Sequence, residues 1–148
     1  QLGPILRKAR RLVRARYDFD FSVSVDEEAE CIFADASALT DVFVNLFTNA
    51  CRYARPDEKP VVEVAARRET NCIVIDVCDR GIGIAPEDLE RIFDRFYQVS
   101  QGTRRRTGGT GLGLVICRAV CTAHGGTLEA SCAGGVTRFT LRLPQPEA

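Results

Sequence analysis

Three groups of residues in this chain could do chemistry, and they occur in a fixed order. Asn45 and Asn49, in the run Asn45-Leu46-Phe47-Thr48-Asn49-Ala50, place two neutral amides one helical turn apart. Asp79 closes an apolar run and opens the turn Asp79-Arg80-Gly81-Ile82-Gly83-Ile84. Gly109, Gly111 and Gly113 alternate with Thr110, Leu112 and Leu114 ahead of a second helical pattern. The side-chain carbonyl of Asn49 is a hard oxygen, the donor type that magnesium takes alongside waters and substrate phosphates. A carboxylate at the end of a buried strand can accept from the exocyclic amine of adenine, and it would repel the oxygen that guanine carries there. Gly81 and Gly83 let the backbone approach a flat base, because no Cβ intervenes. A glycine-rich stretch at a helix N-terminus offers backbone N–H groups and the positive end of the helix dipole to phosphate. The three groups together describe a pocket for adenine, magnesium and a triphosphate.

These groups need elements to hold them. Over 36–53 the apolar residues Leu39, Val42, Phe43, Leu46, Phe47 and Ala50 follow helical period, with Asp35 or Ser37 as N-cap. Asp41, Asn45, Asn49 and Arg52 form one polar stripe on a different face of that helix. Residues 72–78 are apolar on both faces, which predicts a central strand, paired with 61–68 in a hairpin around 69–71. Alternation at Phe19, Phe21, Val23 and Val25 predicts a half-buried strand, and Cys31 to Ala34 a short second one. Pro86 suits the first turn of a short helix ending near Phe93 to Phe96. Residues 98–110 are nearly devoid of apolar side chains and read as a mobile loop. A helix with Leu112, Val115, Ile116, Ala119, Val120 and Ala123 on one face stops at Gly125-Gly126. Strands at 127–132 and 136–143 then flank a turn at Gly134-Gly135. This order predicts a two-layer α/β sandwich, a mostly antiparallel mixed sheet of about five strands packed on three helices. The basic stretch 1–16 reads as a linker or the tail of a preceding helical domain, with the domain proper at 17–146.

Bulk composition narrows the class. The 148 residues suffice for one domain with a real core, and 45% hydrophobic with 27% charged content is ordinary for a globular chain. Zero net charge gives no global attraction to nucleic acid. Seven cysteines, an odd number without any CxxC pair, read as reduced thiols of a cytoplasmic domain rather than a disulfide or zinc framework. Cys117 and Cys121, one turn apart, suit core packing. No run approaches a membrane span, and the chain contains no Met, even at position 1. It reads as an excised domain, with any membrane anchor lying upstream.

The motifs resemble the asparagine box and the first and second glycine boxes of the sensor histidine kinase ATP-binding domain, in the wider GHKL superfamily, over nearly the whole chain. The resemblance implies ATP and Mg2+ as ligands. It implies Asn49 as the metal ligand, Asn45 as support for the phosphates or metal waters, Arg52 facing phosphate and the Tyr53 ring lining the nucleotide. By the same resemblance Asp79, Gly81, Gly83 and Ile84 surround the base, and Gly109, Thr110, Gly111, Leu112, Gly113 and Leu114 surround the phosphates. Phe93 and Phe96 resemble the family's phenylalanine box. One of Arg104, Arg105 and Arg106 could reach the γ-phosphate. The expected reaction is γ-phosphoryl transfer to a His on a separate dimerisation helix domain, with relay to an Asp on a response regulator. Neither the acceptor nor the base belongs to this chain on that reading, so the fragment alone is an unphosphorylated monomer and the full-length parent a homodimer. His124, the single histidine, lacks the acidic neighbour of an acceptor box and reads as structural. The gyrase, mismatch-repair and chaperone ATPases of the superfamily need a Glu one turn before the metal Asn, and position 45 is Asn instead. Two further functions would use a similar pocket: a serine kinase of the anti-sigma type, which shares the fold, and a non-catalytic ATP-binding scaffold.

Overall fold

The computed structural model describes residues 1–95 and 113–146. Among these residues three α-helices, α1 (Leu2–Arg14), α2 (Ala36–Arg52) and α3 (Gly113–Ala123), accompany five strands. The strands are β1 (Asp20–Val25), β2 (Val61–Glu69), β3 (Cys72–Asp79), β4 (Thr127–Ala133) and β5 (Val136–Pro144). They form one sheet in the order β1-β2-β3-β5-β4. Only β1 and β2 run parallel; the other neighbours are antiparallel. Central β3 explains its apolar composition, because it has a strand on each side and the helices over one face.

That inner face carries Val62, Val64 and Ala66 of β2, Ile73, Ile75 and Val77 of β3, and Phe139, Leu141 and Leu143 of β5. Against it pack Leu39, Val42, Phe43, Leu46 and Phe47 of α2. Alternation on the strands and helical period on α2 aim these residues at one another, which is why the two layers form. Asp35 caps α2, its Oδ1 accepting from the Ala38 N–H at 3.0 Å. The other end of α2 lies by the end of β3, since the Tyr53 carbonyl accepts from the Ile82 N–H.

Some elements depart from the sequence expectation. Residues 2–14 form a regular helix, with Leu2, Ile5, Leu6, Ala9 and Val13 buried in the same core as α2. The expected helix from Pro86 is instead two 3-10 turns, Pro86–Asp88 and Arg91–Phe93. Cys31 to Ala34 are not a strand. Side chains take the backbone donors there: the Phe33 N–H donates to Gln145 Oε1 at 2.6 Å and the Asp35 N–H to His124 Nε2 at 3.0 Å. His124 Nδ1 also faces the Val120 carbonyl at 2.8 Å, so the imidazole bridges α3 to the start of α2. Among the described residues no helix is long and apolar enough to cross a membrane.

β3 also carries a charge that its apolar reading passes over. Asp76 is buried on the outer face of the sheet, where Thr140 Oγ1 donates to it at 2.6 Å and Arg67 Nη1 at 3.0 Å. Arg67 and Arg142 are the register partners of buried Val74 on that face. Glu69 joins the two arginines, at 3.1 and 2.9 Å.

Candidate functional site

Asp79 is the last residue of β3, and the turn that follows folds back on the end of α2. The Ile82 N–H donates to the Tyr53 carbonyl at 2.9 Å. Gly81 is buried in that contact: a Cβ there would run into the Tyr53 carbonyl oxygen and lie 3.0 Å from Asp79 Oδ1. Glycine is therefore required by close approach. Gly83 requires glycine for a second reason, a φ of +83°.

Within this turn Asp79 Oδ1 accepts a single hydrogen bond, from the Gly81 N–H at 2.9 Å. Burial pushes its carboxyl up from 3.8 to about 6, and the Gly81 bond only partly opposes that rise. The neighbouring Cys51 thiol is pushed up to about 11, first by burial and then by the charge of Asp79. A recessed carboxylate that, among the described residues, accepts only the Gly81 hydrogen bond suits an incoming N–H donor. Asp79 and Gly81 also border a cavity of about 150 Å³, together with Ala54, Arg55, Lys59 and Arg80. A larger depression of about 510 Å³, between Arg14–Asp18 and Lys59, touches none of the motif residues.

The polar stripe of α2 leads away from this carboxylate. Asn45 Nδ2 donates to the Asp41 carbonyl at 3.0 Å, which leaves its Oδ1 facing Gly113: a Cβ on Gly113 would sit 3.0 Å from that oxygen. The N-terminus of α3 is thus brought against α2 beside the asparagines. Asn49 is half-buried, and among the described residues nothing hydrogen-bonds its side chain. Among the described residues Arg52 Nε is buried without a hydrogen-bond partner. An unused amide oxygen and an orphaned guanidinium N–H on one stripe suit a metal ion and the anion it accompanies. Among the described residues no group of three or more His, Cys, Asp or Glu could hold a metal, so an ion at Asn49 would need oxygens from a ligand.

The predicted residues thus fall at two contacts: Tyr53, Asp79, Gly81, Gly83 and Ile84 where the end of α2 meets the turn after β3, and Asn45 where α2 meets Gly113 at the start of α3, with Asn49 and Arg52 on the α2 stripe and Leu114 following Gly113. Tyr53 takes part through its backbone, as C-cap of α2 and acceptor for Ile82. Phe96, Arg104, Gly109, Thr110, Gly111 and Leu112 lie outside the described residues.

A family model described as "Histidine kinase-, DNA gyrase B-, and HSP90-like ATPase" matches residues 34–147. The chain belongs to that ATPase family. Among curated relatives it is 35% identical over 130 residues to the sensor protein RprX of Bacteroides fragilis, covering 87% of this chain and 25% of that protein. With the sensor protein SrrB of Staphylococcus aureus it shares 39% identity over 114 residues, 76% of this chain and 19% of that protein. The chain thus spans a quarter or less of these relatives. The catalytic domain of histidine kinase ThkA superposes with a TM-score of 0.80 at 25% identity, covering 97% of this chain and 93% of that one. Full-length ShkA, solved in complex with AMPPNP, gives a TM-score of 0.82 at 26% identity, over 100% of this chain and 31% of that one. Within the ATPase family the chain therefore sides with the sensor histidine kinases, and its fold is that of their catalytic domain.

Two residues of this ATPase domain belong near the site although no motif points to them. Thr137 pairs with Asp79 in the β3–β5 register and is buried. Cys132 Sγ lies 3.7 Å from Thr137 Oγ1, and a Cβ on Gly83 would come within 3.2 Å of that sulfur. The available signal is Thr137 itself, a polar residue heading the inward series Thr137, Phe139, Leu141 and Leu143. Cys132 offers no signal, because its nearness to Gly83 depends on a turn that follows a different strand.

Proposed function

We propose that this domain binds ATP with magnesium and supplies the γ-phosphoryl group for phosphorylation of a histidine on a separate helical dimerisation domain, which relays it to an aspartate of a response regulator. The observation that carries this reading is the recessed Asp79 carboxylate, held by one backbone N–H and flanked by glycines packed to close approach. It would accept from the adenine amine. Asn49 would hold the metal, Asn45 and Arg52 would face the phosphates, and the N-terminus of α3 would add its backbone donors and dipole. A bound magnesium ion would neutralise charge on the β- and γ-phosphate oxygens. In the transfer, the bond from the γ-phosphorus to the bridging oxygen of ADP breaks and a bond to an imidazole nitrogen forms. The domain's own contribution is positioning and charge stabilisation, which dominate phosphoryl transfer.

Position 45 favours transfer over hydrolysis. A water-activating carboxylate would be expected one turn before Asn49, and the residue there is an amide whose Nδ2 is already committed to the Asp41 carbonyl. The parent is read as a homodimer anchored at the inner membrane, with this domain in the cytoplasm and monomeric by itself. The chain's match to a quarter or less of the sensor proteins RprX and SrrB supports partners encoded outside it.

The test is incubation with γ-labelled ATP and magnesium, with and without the parent's helical acceptor segment. Acid-labile label on the acceptor and none on the isolated domain is the expected result. Steady release of inorganic phosphate by the isolated domain, with no labelled acceptor, would replace this reading by an ATPase.

A further inference from the structure

Arg118, midway along α3, belongs to none of the three motifs, yet its guanidinium touches a ring, a backbone carbonyl and a carboxylate at once. Its guanidinium carbon lies 4.0 Å from the centroid of the Phe93 ring. Its Nε donates to the Leu128 carbonyl of β4 at 3.2 Å. Its Nη1 and Nη2 donate to the two carboxylate oxygens of Glu90 at 3.4 and 3.3 Å. One planar group thus joins α3 to an edge strand and to the 3-10 turn Arg91–Phe93. Glu90 is 78% exposed, so its ion pair is screened and weak. The ring face and the strand carbonyl therefore provide most of the hold, and both suit a flat, weakly hydrated guanidinium.

That hold matters because of what lies at the head of the same helix. Gly113, the first residue of α3, is set against Asn45 Oδ1 with no room to spare. On the inner side α3 is fixed by Cys117 and Cys121, both fully buried, with Cys117 Sγ donating to the Val42 carbonyl at 3.7 Å. Two small thiols on one face fix how deeply the helix sits. Val120 and Leu114 pack partly on the core and His124 ties the far end of the helix to Asp35 at the start of α2, so what is left to fix is the tilting and sliding motions of the N-terminal half, which decide where its N–H groups point. Arg118 opposes those motions from the other side.

We propose that Arg118 is a positioning residue for the phosphate end of the nucleotide site: through Phe93 and the Leu128 carbonyl it holds the N-terminus of α3 against the asparagine stripe of α2. The inference rests on the proposed ATP-binding function and deepens it, since it separates the group that aims the phosphate donors from the group that reads the base. Asp79 lies on β3 and does not depend on α3 for its placement. Loss of Arg118 therefore weakens binding of the phosphates and spares binding of adenosine.

The experiment compares ATP and adenosine affinities, by chemical-shift titration at fixed magnesium, for wild type, Arg118→Ala and Arg118→Lys. For Arg118→Ala the ATP affinity is expected to fall about 5- to 30-fold, the loss of one or two good polar contacts, with adenosine affinity unchanged. Arg118→Lys keeps a cation over the ring and regains part of the loss. Phe93→Leu, which removes the ring but fills its space, should reproduce the Arg118→Ala pattern and serves if that variant does not fold. Parallel loss of both ligands, or an unchanged ATP-to-adenosine ratio, would overturn the inference while leaving the site reading intact. Wild type that binds adenosine but prefers ATP no more than adenosine would overturn the phosphate-end reading and the inference with it.

Discussion

Asp76 and Asp79 stand three positions apart on β3, on opposite faces of the sheet, and they differ in what surrounds them. Asp76 is the more deeply buried, yet Thr140 and Arg67 answer its charge at 2.6 and 3.0 Å. Asp79 is only partly buried, and Gly81 alone hydrogen-bonds it within the turn. A strand can bury a carboxylate for structure on one face and hold another ready for a ligand on the other. Depth of burial does not distinguish the two; unused hydrogen-bonding capacity does.

The comparison breaks most severely at Gly81. In Gly81→Ala the new Cβ meets the Tyr53 carbonyl, so the turn must move and Asp79 loses its backbone donor. We expect a cost of about 1–3 kcal/mol in unfolding free energy, as for other overpacked sites. ATP affinity should fall more than about tenfold, since each 1.4 kcal/mol of lost binding is one decade. Chemical denaturation and calorimetry would read the two effects.

Asp76→Ala probes the other face. It strips the acceptor from Thr140 and Arg67, at an expected cost of about 1–3 kcal/mol for the abandoned donors. Arg67 is half exposed and can return to water, which places the value toward the lower end. ATP affinity should stay within about twofold of wild type, because sites on separate networks act additively. A large loss of affinity here would show that the two faces are coupled.

A third test is a pH dependence. Asp79 is raised from 3.8 to about 6 in the nucleotide-free fold, so the folded state holds the extra proton between those values. Its contribution favours folding below pH 3.8 and is lost as pH rises through about 6; above that the bare carboxylate is a standing cost. Adenine recognition has the opposite sign, because it needs the carboxylate. Adenosine, which has no titrating phosphate, should bind with constant affinity above pH 6 and lose up to about tenfold per pH unit below it.

The same contrast shows which parts of the molecule are legible in sequence. Asp79 is, because an apolar strand that ends in Asp and a glycine turn is a local pattern. Asn45 and Asn49 are, because helical period separates their stripe from the face of Leu39, Phe43 and Leu46. Asp76 is not: its burial depends on Arg67 and Thr140, supplied by strands on either side. Cys31 to Ala34 read as a strand because they are mostly apolar, and Gln145 and His124, residues distant in sequence, override that pattern. Residues 2–14 have the spacing of a core helix, but their basic outer face gives them the look of a tail. His124 reads as structural, and its two ring nitrogens are both engaged by backbone groups.

The central claim is that Asp79 is kept under-satisfied in order to meet adenine. The most direct measurement is a calorimetric titration of ATP with magnesium, at pH 8, into wild type and Asp79→Asn, with the melting temperature of each nucleotide-free protein recorded alongside. Wild type is expected to bind ATP, and the variant to lose that binding yet melt at a higher temperature, because a desolvated charge has been removed. A variant that still binds ATP with wild-type affinity, or that loses binding only because it melts lower, would contradict the claim.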